Sequence, residues 1–107
     1  GKKDWILNGD LVYKSERSGK VIKVPKGFRT DLASIPRLLR FLIPVNGRHR
    51  YAAIVHDYLY RSIVPWCSRE MADQIFRDAM SDLQVSKWKR RAMYSAVRIG
   101  GWASWRD

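Results

Sequence analysis

The spacing of apolar residues changes once along this chain, and that change sets the fold class. Before about residue 30, short runs rich in β-branched and aromatic residues are separated by turn signals. Trp5-Ile6-Leu7 and Leu11-Val12-Tyr13 flank Asn8-Gly9-Asp10. Asn-Gly supplies the positive φ of a tight hairpin turn. A second turn signal, Ser15 to Gly19, leads into Val21-Ile22-Lys23-Val24, and Pro25 with Gly27 ends the pattern. A three-stranded antiparallel meander is expected, because a lone hairpin is marginal in water.

From Pro36 onward the apolar residues recur at three and four, the period of a helix. Pro36 opens a short helix through Ile43, since the first turn does not need its missing N–H. Pro44 and Asn46-Gly47 close it. The next helix runs from about Arg48 to Ser62, with Ala52, Val55, His56, Leu59 and Ile63 on one stripe. Ser68 is a good N-cap for a helix striped by Ala72, Ile75, Phe76, Ala79, Met80 and Leu83, and Glu70 suits its dipole. Ser86 caps a last helix whose apolar face is Trp88, Ala92, Ala96, Ile99 and Ala103. Gly100-Gly101 inside it either kinks the helix or admits a close neighbour. The expected architecture is α+β: an N-terminal antiparallel β-meander followed by three to four packed α-helices. A chain of 107 residues without repeats or linkers holds one domain, residues 1–107.

Charge is the strongest global signal. Lys and Arg number 21 against 10 Asp and Glu, a net +11. Such an excess favours an anionic partner: nucleic acid, a phospholipid surface or an acidic protein. Arg37, Arg40, Arg48, Arg50, Lys87, Arg90 and Arg91 are the candidate anion-binding residues. The acids gather at Glu70, Asp73, Asp78 and Asp82, between two basic stretches. Intramolecular charge balance is the plainer reading of that pattern. The longest apolar run, Phe41 to Val45, is far too short to span a membrane. The start, Gly1-Lys2-Lys3-Asp4-Trp5, lacks the apolar stretch of a signal peptide, and the single cysteine, Cys67, suits a reducing compartment.

His56 is the residue with most chemical promise. It falls on an inward stripe, where both ring nitrogens need partners. Tyr60 lies one turn on. Asp73, on the next helix, reaches the imidazole if the two helices pack as a hairpin. The carboxylate then fixes the tautomer and leaves the other nitrogen as a general base, provided that edge opens onto water. Asp57 points to a different side of its helix. The alternatives are a satisfied core histidine, with Asp57–Arg61 and Asp73–Arg77 as ordinary pairs four residues apart. In the loop Thr30 to Pro36, Thr30, Asp31 and Ser34 either make turn hydrogen bonds, or Asp31 joins Asp57 around a cation. Oxygen ligands of that kind suit Ca²⁺ or Mg²⁺.

Four stretches, VPKGFRTDLASIP (24–36), AAIVHDYLY (52–60), SREMADQIFRDAM (68–80) and AVRIGGWAS (96–104), resemble a family of short phage and prophage proteins of unknown function. The resemblance spans Val24 to about Trp105. It implies a viral or prophage origin and a location in the bacterial host cytoplasm or on the virion. A second, shorter resemblance is mechanistic. His56-Asp57 with Tyr60, then Ala72-Asp73, is similar to the HDxxY and AD pattern of compact phospholipases A2. It implies His56 as the base that activates water, Asp73 as its orienting partner, and Asp57 as a Ca²⁺ ligand that helps polarise an ester carbonyl. The chain departs from that pattern by lacking glycine in residues 30–36 and by being unable to form a disulfide. Two functions follow: a metal-assisted hydrolase of the phospholipase type, or a non-catalytic basic phage assembly or host-interaction protein.

Overall fold

A computed structural model describes residues 5–32, 34–36, 39 and 49–105. Four strands come first: β1 (Trp5–Ile6), β2 (Leu11–Ser15), β3 (Lys20–Val24) and β4 (Arg29–Thr30). Three helices follow: α1 (His49–Arg61), α2 (Arg69–Asp82) and α3 (Lys87–Gly100), with a 3₁₀ turn over Gly101–Ser104. The α+β class is as expected. Most of the helix expected from Pro36 to Ile43 lies outside the described residues.

The β2–β3 hairpin forms in the expected place, with Leu11 opposite Val24 and Ser15 opposite Lys20. Gly19, at φ +71°, closes its turn. Ser15, Ile22 and Val24 are buried on one side while Val12, Lys14, Val21 and Lys23 face water, the alternation of a half-buried sheet. The expected hairpin at Asn8-Gly9 does not form, so the meander becomes two two-stranded sheets. β1 pairs with β4 instead, Trp5 opposite Thr30. This pairing continues the register of the β2–β3 hairpin past a turn at Pro25–Phe28, where the Phe28 N–H reaches the Pro25 carbonyl at 3.1 Å. Gly27 takes the positive φ of +89° that the sequence pattern assigns to Gly9. The Asp10 carboxylate holds the turn by accepting from the Lys26 N–H at 2.7 Å.

Helix α1 lies at the centre. Its buried residues run from Ala52 to Asp57, then Leu59 and Tyr60, because strands, loop and α2 cover it from several sides. Of its expected stripe only Ile63 fails; it lies beyond the helix end and is 87% exposed. α2 keeps its expected stripe, with Ala72, Ile75, Phe76, Ala79 and Met80 buried. The Ser68 side chain caps it by accepting from the Met71 N–H at 3.0 Å. Its C-terminus closes as a Schellman turn. The Val85 N–H reaches Met80 O and the Gln84 N–H reaches Ser81 O, with Gln84 at φ +62°. The hairpin is tied to α2 by Arg17–Asp78 at 2.7 Å and Tyr13–Asp82 at 2.8 Å.

In α3 the structure departs from the expected face. The buried residues are Met93 and Val97. Trp88, Ile99 and Ala103 are exposed, and Ala92 and Ala96 are only half-buried. Polar contacts fix this rotation: Arg98 donates to Asp73 on α2, and Arg69 donates to the Val97 and Arg98 carbonyls. At the end of α3, a Cβ on Gly101 would lie 2.5 Å from the Tyr60 hydroxyl. The glycine pair therefore admits a neighbouring side chain, Tyr60, and marks the switch to a 3₁₀ turn.

Candidate functional site

The helices converge on a buried polar cluster. α1 places His56 and Tyr60 one turn apart on the same face, and α2, antiparallel to it, brings up Asp73. The His56 Nε2 lies 2.7 Å from Asp73 Oδ1. The Tyr60 hydroxyl donates to the same oxygen at 2.6 Å. Asp73 Oδ2 accepts from Arg98 Nη1 at 2.8 Å, with Arg69 Nη1 at 3.6 Å. On the other edge of the ring, His56 Nδ1 meets Ser34 Oγ at 2.9 Å. Phe76 covers the imidazole face, with ring centroids 4.6 Å apart.

These contacts fix the protons. Burial pushes Asp73 upward, but the hydrogen bonds from His56, Tyr60 and Arg98 outweigh it, and its pKa stays below the ordinary value. Burial lowers the His56 pKa below its ordinary 6.5, and the attraction of Asp73 only partly offsets this. Burial and the bond to Asp73 raise the Tyr60 pKa, so it remains a donor. The imidazole is therefore neutral with its proton on Nε2, and the Nδ1 lone pair accepts the Ser34 hydroxyl proton.

The general-base expectation asks for a ring edge open to water. His56 has 0% exposure, and protein groups engage both nitrogens. Ser34 occupies the edge where a water would sit. The loop amides are also turned inward. The Leu32 N–H donates to Thr30 Oγ1, Ser34 N–H to Asp57 Oδ1, and Ile35 N–H to the Leu32 carbonyl. None of these three remains to stabilise an oxyanion. As folded, the cluster is a closed relay that clasps the loop, α1, α2 and α3 together.

Asp57 clasps the same loop from the next position. Its oxygens accept from Thr30 Oγ1 at 2.5 Å, Ser34 N at 3.3 Å and Arg61 Nη1 at 3.4 Å. This surround of donors, one of them a guanidinium, satisfies a carboxylate without a metal and does not fit Ca²⁺ or Mg²⁺. Among the described residues no group of three or more His, Cys, Asp or Glu is placed to hold a metal.

The expected anion-binding residues divide into three sets. Arg37, Arg40 and Arg48 lie outside the described residues. Arg50 is half-buried and stacks on Trp5, 4.2 Å from the ring centroid, so its guanidinium belongs to the fold. Lys87, Arg90 and Arg91 gather at the start of α3. With Arg77, Asp78 and Ser81 of α2 they line a concavity of about 310 Å³.

Sequence reasoning missed Ser34 and Arg98 as partners of His56 and Asp73, and Arg77 as a member of the basic corner. Counting acceptors would have pointed to the first two. A buried imidazole and a buried carboxylate demand more donors than Tyr60 supplies, and Ser34 and Arg98 are polar residues that the fold can bring to them.

No helix among the described residues is long and apolar enough to cross a membrane. No curated protein and no solved structure matches the chain. Residues 5–97 match a family described as proteins of unknown function, DUF1353, in accord with the expectation of an unknown-function family. By that match the chain belongs to the DUF1353 family.

Proposed function

We propose that this chain is a non-catalytic basic binding protein that engages an anionic partner through the start of α3. One observation carries the reading: the first turn and a half of α3 holds Lys87, Lys89, Arg90 and Arg91 and no acid. The N-terminus of a helix carries the positive end of its dipole. A cation there forfeits roughly 0.3–1 kcal/mol where a carboxylate would gain it. The N-cap, Ser86, makes no side-chain hydrogen bond, so nothing in the cap offsets this. Folding alone disfavours this arrangement; an anionic partner relieves it. The sealed His56 supports the same reading, because it leaves the polar cluster a structural task. The resemblance to short phage and prophage proteins supports a role in phage assembly or host interaction, within the host cytoplasm or on the virion.

The test is retention of the full chain on immobilised heparin, a model polyanion. Retention that weakens steeply with salt, and that the triple variant Lys87→Gln, Arg90→Gln, Arg91→Gln abolishes, is the expected result. Equal retention of the triple variant and the parent would overturn the proposal.

A second reading, the phospholipase-type hydrolase, is favoured by one observation: the imidazole is neutral, with Asp73 on one nitrogen and a hydroxyl on the other. It requires Ser34 to withdraw and expose Nδ1. Turnover of a short-chain p-nitrophenyl ester or a phospholipid, with and without Ca²⁺, that His56→Ala removes would establish it. Absence of turnover in both conditions would eliminate it.

A further inference from the structure

We infer that the outer face of α3 docks on an anionic phospholipid bilayer. The inference rests on the proposed anionic partner and names it. α3 carries two apolar stripes. Met93 and Val97 pack inward, whereas Trp88 and Ile99 stand about three turns apart on the opposite side. Trp102 continues three residues later in the 3₁₀ turn. Trp88 is 61% exposed, Ile99 78% and Trp102 67%. Eleven residues at 1.5 Å rise set Trp88 and Ile99 about 16 Å apart, so the surface runs most of the helix length.

The chemistry of this face selects its partner. Cations stand beside the apolar stripe: Lys87 and Arg91 on one flank, and Lys89 on the other, its Nζ 5.8 Å from the Trp88 ring centroid. The partner must accept aliphatic and indole groups and supply negative charge in the same plane. An anionic bilayer interface does both. Indoles sit at headgroup depth, Ile99 reaches the acyl boundary, and the flanking cations meet phosphates. Nucleic acid offers no apolar layer for Ile99. A second copy of a chain with net +11 would set Lys87, Lys89 and Arg91 against their own equivalents. The helix lies on such a surface and does not cross it.

The experiment is cosedimentation of the full chain with large vesicles, read beside heparin retention. The expected result is binding to phosphatidylcholine vesicles containing phosphatidylglycerol and none to phosphatidylcholine alone, with a blue shift of tryptophan emission. Each cation near an anionic surface contributes about fivefold, so Lys87→Gln with Arg91→Gln weakens vesicle binding about 25-fold. The variant Trp88→Ser, Ile99→Ser, Trp102→Ser changes only exposed side chains. It is expected to lose vesicle binding more than tenfold while keeping its heparin elution. A parent chain that binds heparin and not vesicles overturns the lipid inference and leaves the anionic-partner proposal standing. Failure to bind either overturns both. Unchanged vesicle binding by the serine variant, or a duplex oligonucleotide displacing the chain from vesicles at equal phosphate, also overturns the lipid inference.

Discussion

Replacing Asp73 by Asn tests what the buried cluster is for. The carboxylate accepts three hydrogen bonds, from His56, Tyr60 and Arg98, and its side chain has 0% exposure. An asparagine has one acceptor oxygen. In its cheaper orientation that oxygen faces His56 and Tyr60, and the amide N–H₂ meets the Arg98 guanidinium, donor against donor. One charge-assisted hydrogen bond is lost, worth roughly 1.5–3 kcal/mol, and the two that remain weaken. Arg98 is 31% exposed and recovers part of its hydration. The sum is about 3–4 kcal/mol, near the lower end of the range for a broken buried pair. A domain of this size has only about 5–15 kcal/mol in total. In urea, with a slope of about 2 kcal/mol per molar, the midpoint should fall by roughly 1.5–2 M. Tyr60→Phe removes a single bond and should cost only about 1 kcal/mol. Equilibrium unfolding followed by far-UV circular dichroism measures both. Sites kept for catalysis hold groups that cost stability, so their removal is neutral or stabilising. An unchanged or raised midpoint for Asp73→Asn would refute the clasp.

Three further predictions follow from the same geometry. The unfolded chain protonates His56 below about pH 6.5, while burial lowers the folded pKa. Stability is therefore full above that pH and falls as pH drops below it, by up to ~1.4 kcal/mol per unit. Asp73, lowered from 3.8, adds loss in the same direction at more acid pH. His56→Gln should flatten the slope between about pH 6.5 and 4.5 in urea titrations. Gly101→Ala puts a Cβ 2.5 Å from the Tyr60 hydroxyl and should cost about 1–3 kcal/mol by thermal unfolding. Gln84→Gly relieves a left-handed residue at the end of α2 and should add about 1 kcal/mol, a rise of roughly 4–8 °C in Tm.

The sequence made some of these features legible and hid others for physical reasons. Its spacing put His56 and Tyr60 on one face, and a short connector made α1 and α2 an antiparallel hairpin, so the approach of Asp73 could be anticipated. Ser34 and Arg98 come from a loop and a distant helix, and local spacing carries no record of either. Of the apolar stripe Trp88, Ala92, Ala96, Ile99 and Ala103, the residues Trp88, Ile99 and Ala103 face outward while Ala92 and Ala96 are half-buried. Periodicity finds a stripe but not the side on which the rest of the chain lies. The rotation of α3 is set by Arg98 and Arg69 reaching partners on other elements. The strand pairing was hidden because Trp5 and Thr30 continue the register of Leu11 and Val24 across an interruption at residues 8–10 and 25–27. At that interruption Gly27 takes the positive φ and Asp10 is tied to Lys26.

Imidazole ¹⁵N chemical shifts of His56, followed from pH 8 to pH 4.5, bear most directly on the closed relay. The structure requires a neutral ring protonated at Nε2 that does not titrate at its ordinary value of 6.5 and whose N–H exchanges slowly with solvent. A ring that takes up its proton near 6.5, or whose Nε2–H exchanges freely with water, contradicts the relay and returns His56 to the role of an open base.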